Sequence, residues 1–179
     1  ICLATERARH ARAERLHTQE ARALAALNKA IGESLDPVAV LRGIGETALG
    51  ILGVDRVSIF LGSDPRHLTV SLLAGRDHAD LVHGQEVDLV ERDARLMRRA
   101  LEEQRSFSVN DWRLDGRVNR SLAERWYVGA ALILPLVARK TPLGLLLLSR
   151  GAPHEWTDDQ ADVAETMASQ ASIALENAH

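Results

Sequence analysis

Residues 127–160 read YVGAALILPLVARKTPLGLLLLSRGAPHEWTDDQ, and this stretch decides the fold. Tyr127 to Val137 and Leu143 to Ser149 are apolar at nearly every position, with Ala138-Arg139-Lys140-Thr141-Pro142 as a hairpin between them. Strands without polar alternation belong at the centre of a sheet covered on both faces. Thr157-Asp158-Asp159-Gln160 then has the pattern of a capping box, with acidic residues suited to the positive end of a helix dipole. From there Ala161, Ala164, Met167, Ala168, Ala171, Ala174, Leu175 and Ala178 hold one face to the end of the sequence. Small residues on that face allow close helix packing.

Working back toward the N-terminus, the period changes repeatedly. Arg56–Leu61 and His67–Leu73 read as strands around a Gly62-to-Arg66 turn. A short strand is expected near Glu86 to Val90, a helix over Asp93–Gln104 and a short strand over Ser106–Val109. The polar run from Asn110 to Arg125 reads as irregular. Asp36-Pro37 supplies an N-cap and a first-turn proline for a helix whose apolar face is Val38, Leu41, Ile44, Ala48 and Leu52, with Gly53 as its stop. Residues 5–35 contain no proline and are rich in Ala, Arg, Glu and Leu, which predicts a leading helix on the order of 45 Å long. Its apolar stripe, with Leu24, Leu27 and Ile31 as the best seam, is too thin for a core element and suits pairing with another helix.

Composition narrows the function classes. The chain has 179 residues, 46% hydrophobic and 26% charged, and a formal charge of −3. That balance is globular and gives no basic excess of the kind nucleic acid requires, so no nucleic-acid partner is expected. The one cysteine, Cys2, excludes a disulfide framework and a CxxC redox motif, and a reducing cytoplasm is the expected location. The longest apolar run, Leu143 to Leu148, is strand-sized, so no membrane span is expected within the fragment. A start at Ile1, with neither Met nor a signal-peptide pattern, reads as a piece of a longer protein whose effector domain lies elsewhere.

Taken together, residues 36–178 resemble a GAF domain, on the stretches DPVAVLRGIGETALGILGVDRVSIFL, YVGAALILPLVARKTPLGLLLLSR and HEWTDDQADVAETMASQASIALENA. Residues 1–35 resemble the signalling helix that leads into such domains. The resemblance implies an α+β fold, a central antiparallel sheet with a helical layer on one side and a pocket, where present, under the loops around residues 75–125. It also implies a sensory and dimerisation role inside histidine kinases of two-component systems, diguanylate cyclases, serine phosphatases or transcription activators. On that basis a homodimer is expected through Leu24, Leu27, Ile31, Met167, Ala171, Ala174 and Leu175.

The family's specialised members carry marks that this sequence lacks. Asn28-Lys29 falls in the leading helix and Phe60 precedes Asp64-Pro65, so the cyclic-nucleotide signature fails. Cys2 sits far in sequence from the stretch where a bilin pocket is expected, and one thiol does not run methionine sulfoxide reduction. Neither catalytic residues nor a metal site nor a cofactor is expected. A haem or chromophore sensor, through His78 or His83, is one rival reading; an assembly domain with no ligand is the other. If a ligand binds, its expected wall is Trp112, Arg113, Arg117, Arg120, Trp126 and Tyr127, because guanidinium groups suit carboxylate or phosphate and indole rings cover flat molecules. The plainer alternative has Trp112 and Trp126 anchoring the loop while the arginines face water.

Overall fold

The computed structural model describes residues 36–76 and 81–178. The expected leading helix, with Leu24, Leu27 and Ile31, lies outside the described residues. The elements in order are α1 (Pro37–Ile51), β1 (Arg56–Leu61), β2 (Leu68–Gly75), β3 (Glu86–Val87), α2 (Arg95–Glu103), β4 (Phe107–Val109), α3 (Arg120–Trp126), β5 (Ala130–Ala138), β6 (Thr141–Arg150) and α4 (Asp158–Asn177). The strands form one antiparallel sheet in the order β3-β2-β1-β6-β5-β4.

The hairpin that decides the fold is tighter than its sequence suggests. Ala138 faces Thr141, leaving only Arg139 and Lys140 in the turn, both with positive φ (48° and 67°). Two such residues make a turn whose twist matches the flanking strands. Pro142 sits at a register shift between Leu136 and Val137, the kind of irregularity where a strand tolerates proline. Gly144, which faces Leu61 and Leu136, has φ 158° and lies directly against the Phe60 carbonyl.

Side chains alternate across β5 and β6 and so divide the core. Leu132, Leu134, Leu146 and Leu148 join Val57 and Ile59 beneath the two long helices, α1 and α4. Ala131, Ile133, Leu145 and Leu147 join Phe60 and Val70 beneath α2, α3 and the loop segments. The helical layer therefore covers one face, and short helices with their loops cover the other. At about 25 cal/mol per Å2 of apolar surface, two-sided burial of this kind dominates the stability of the sheet.

The caps follow the sequence. Asp36 accepts a hydrogen bond from Val38 N (3.0 Å), and Thr157 and Gln160 complete a reciprocal capping box. Val38 departs from its expected place: it is 56% exposed, and Val40 takes the buried position with Leu41, Ile44 and Ala48. Met167, Ala171, Ala174 and Leu175 also require a correction. They are buried within the chain's own core, packed with α1 and the sheet, so this face of α4 is already spent and offers nothing to a second copy. The face that α4 leaves open carries Asp162, Thr166, Ser169 and Ile173, with Ile173 half exposed. Among the described residues no helix is long and apolar enough to cross a membrane.

Candidate functional site

The run from Asn110 to Arg125 is less irregular than its polarity suggests. Asn119 accepts from Ser121 N (2.9 Å) and caps α3, whose Leu122, Ala123 and Trp126 turn inward. Tyr127 ends the helix in the left-handed conformation (φ 51°). The Arg56 guanidinium, from the first residue of β1, donates to the Tyr127 carbonyl at 2.6 Å and holds that corner. A capping Asn followed by Leu122-Ala123 and Trp126 was the signal for a helix here.

This geometry sorts the six residues expected to form a ligand wall. Trp112 and Trp126 are 2% exposed and belong to the core. Trp112 donates its indole N–H to the Asn119 carbonyl (3.0 Å), and Trp126 stacks on Phe60 with ring centroids 6.2 Å apart. Their rings fill the space between sheet and helix that a flat ligand would need, so they are anchors and not ligand-facing. Arg117 is likewise engaged: it donates to both oxygens of Asp115 and, at 2.9 Å, to the Ser108 carbonyl.

Arg113, Arg120 and Tyr127 do come together. With Ala123, Glu124 and Gly151 they line a cleft of about 490 Å3 at one end of the sheet, outside α3. Arg120, Ala123 and Glu124 share a face because they are three and four residues apart on the helix. Among the described residues neither the Arg113 nor the Arg120 guanidinium has a hydrogen bond or ion pair, and both side chains are exposed. On the other side of Tyr127 a second hollow is lined by Arg56, Gly75 and Arg76. Asp55 balances part of that charge, accepting from Gly151 N (2.8 Å) and lying 3.8 Å from Arg76. Glu124, Gly151, Arg56 and Arg76 were not singled out from sequence, since they come from four separate segments and only the fold gathers them.

Of the two histidines considered as haem ligands, His83 is an exposed loop residue and His78 lies outside the described residues. Among the described residues no group of three or more His, Cys, Asp or Glu side chains is placed to hold a metal ion.

The Arg117–Asp115 pair makes a pH prediction. The Arg117 side chain, hydrogen-bonded to Asp115, holds that carboxyl below the ordinary carboxylate range, and the backbone N–H of Arg117 adds to the effect. A carboxyl depressed on folding adds stability that is complete above its unfolded value near 4 and fades as pH falls through the folded value. Asp115→Asn keeps the short turn but removes the charge, and is expected to cost about 0.5–1 kcal/mol at pH 7. Urea titrations should show the gap between wild type and variant closing as pH falls below about 4. A gap that stays constant over that range would refute the assignment.

The loop that carries Arg113 is tied to the last helix. His154 N donates to the Asn110 carbonyl (2.8 Å), Trp156 N donates to Asn110 Oδ1 (3.2 Å), and the Trp156 indole donates to the Val109 carbonyl (3.1 Å). His154 in turn contacts Arg150 at 3.0 Å and Gln160 at 3.1 Å, and Gln160 is the third residue of α4 and half of its capping box.

Solved structures share this fold. The GAF domain of an Acinetobacter phosphoenolpyruvate-protein phosphotransferase aligns with a TM-score of 0.72 at 15% identity, covering 90% of this chain and 95% of that one. A segment of a methyl-accepting chemotaxis protein aligns at 0.68 and 21%, covering 87% and 96%. The blue-light absorbing form of the Thermosynechococcus elongatus PixJ GAF domain aligns at 0.63 and 22%, covering 79% and 85%. No curated protein matches the chain. The GAF domain family model matches residues 36–175, nearly the whole of the sheet and helices described above, and the chain belongs to the GAF domain family.

Proposed function

We propose that the chain is a non-catalytic sensory and dimerisation module of a larger cytoplasmic signalling protein, such as a histidine kinase, diguanylate cyclase, serine phosphatase or transcription activator. It passes a conformational bias to a covalently linked effector domain through its terminal helices. The observation that carries this reading is the tie between the loop bearing Arg113 and the start of α4, through Asn110, His154 and Trp156. A signal needs a physical element that both ends can bias. Here a shift of the loop would pull on the capped end of the last helix. Relatives of the same fold come from a chemotaxis protein and a phosphotransferase, which is in keeping with regulatory use.

The dimer in this reading uses the leading helix, around Leu24, Leu27 and Ile31, together with the open face of α4 around Ile173. Sedimentation at low micromolar concentration should find the full chain dimeric. Removing residues 1–35 should weaken that dimer at least about tenfold, the equivalent of 1.4 kcal/mol, while circular dichroism keeps its α+β signature. Ile173→Glu should weaken it in the intact chain, since a charge then enters an apolar contact. A truncated protein that stays fully dimeric, with Ile173→Glu also without effect, would overturn the proposal.

A further inference from the structure

We infer that the cleft beside Tyr127 is a binding site for a small organic anion, one carrying a carboxylate or phosphate group on a flat body. This rests on reading the chain as a sensory domain, and it places the ligand outside the sheet–helix interior. That interior is already filled: Phe60, Trp112 and Trp126 pack there as buried core. The cleft outside α3 is different in character. Its volume of about 490 Å3 lies in the range of small-molecule sites. Arg113 and Arg120 both line it and, among the described residues, neither guanidinium is paired with a carboxylate. Guanidinium groups present forked donors that match carboxylate and phosphate oxygens. Several other exposed arginines among the described residues are engaged: Arg95 pairs with Asp93, Arg99 with Glu103 and Arg117 with Asp115. Two unpaired guanidiniums in one concavity stand apart from that habit.

The remaining residues set the ligand's shape and charge. Tyr127, 61% exposed and fixed through its backbone by Arg56, lines both this cleft and the neighbouring one and offers a ring face for stacking. Glu124 also lines the cleft and repels a second negative charge, which favours a single anionic head over a polyanion. Arg113 belongs to the loop tied to α4, so occupancy of the cleft acts on the same connection that the sensory role requires.

Tyr127 is the only tyrosine in the chain, so protein labelled with 13C-tyrosine gives one aromatic reporter at the site. We would titrate it by NMR with phenyl phosphate, benzoate and inorganic phosphate. Saturable movement of the Tyr127 signal is expected with phenyl phosphate or benzoate below about 10 mM, and weaker binding of inorganic phosphate. Whichever aromatic probe binds tighter identifies the head group. Arg113→Ala with Arg120→Ala should weaken binding at least about tenfold, whereas Glu124→Gln should tighten it severalfold. Both arginines are exposed, so the folded state survives their loss, and the spectrum itself reports that. A signal unmoved by all three probes, or a double variant that binds like wild type, would overturn the inference. Sedimentation of the same samples reads the dimer separately, so loss of anion binding with the dimer intact would fault the site and leave the sensory module standing.

Discussion

Gly144→Ala is expected to lower the stability of the protein by about 3–5 kcal/mol, a large part of what a domain of this size possesses. A Cβ at this position would run into the carbonyl of Phe60 on the neighbouring strand and crowd the Leu61 backbone. Neither can retreat, because β1 and β6 are paired over Arg56–Leu61 in the middle of the sheet. Forcing volume into such a place costs about 1–3 kcal/mol, and the positive φ of 158° adds a backbone cost of similar size for any residue with a side chain. Urea unfolding followed by tryptophan fluorescence gives the number directly. A loss below about 1 kcal/mol would mean that the strands slide to make room, against the rigid register described here.

Trp112→Ala is expected to cost a comparable 3–5 kcal/mol, roughly the range for removing a large aromatic from a core. Trp112 heads the fully buried side chains by size and is also the pin of its loop, through the bond from its indole to the Asn119 carbonyl. Two consequences should therefore appear together. The melting temperature falls, and the Arg113 side of the cleft loses its position. Trp112→Phe separates them: it fills most of the volume but leaves the Asn119 carbonyl with the Ala123 backbone N–H (3.3 Å) and no indole, for a loss of about 0.5–1.5 kcal/mol. If Trp112→Ala melts within a degree or two of wild type, the indole is not the anchor that its burial implies.

How much of this was legible beforehand varies along the chain for physical reasons. The bounds of β1 and the capping box at Thr157 follow from local chemistry, and they stand in the structure where the sequence put them. The apolar runs of β5 and β6 announced burial on both faces, and the alternating Leu145 to Leu148 confirm it. The tight turn at Arg139-Lys140 was hidden because neither residue is a usual choice for positive φ. Helix α3 was hidden by its polarity, although Asn119 and the inward trio Leu122, Ala123 and Trp126 carry its signature. The α4 stripe misled in a different way. An amphipathic pattern says that Met167, Ala171, Ala174 and Leu175 are covered, but not whether the cover is another chain or the same one. Here it is α1 and the sheet of the same chain. The cleft is the least legible feature, since Arg113, Arg120 and Gly151 lie on separate segments that meet only once β4, β5 and β6 have paired.

The Arg117 bond to the Ser108 carbonyl has one more consequence. β4 is the outermost strand on its side of the sheet, and an outermost strand offers unmet backbone groups to any passing chain. By taking the Ser108 carbonyl, Arg117 spends one of the few acceptors that a foreign strand would use for docking, and it puts a cation where that strand would have to lie. That contact should make this edge a poorer template for a foreign strand. Its value would be felt most in a crowded cell, where sticky edges are punished by precipitation long before they are punished by unfolding.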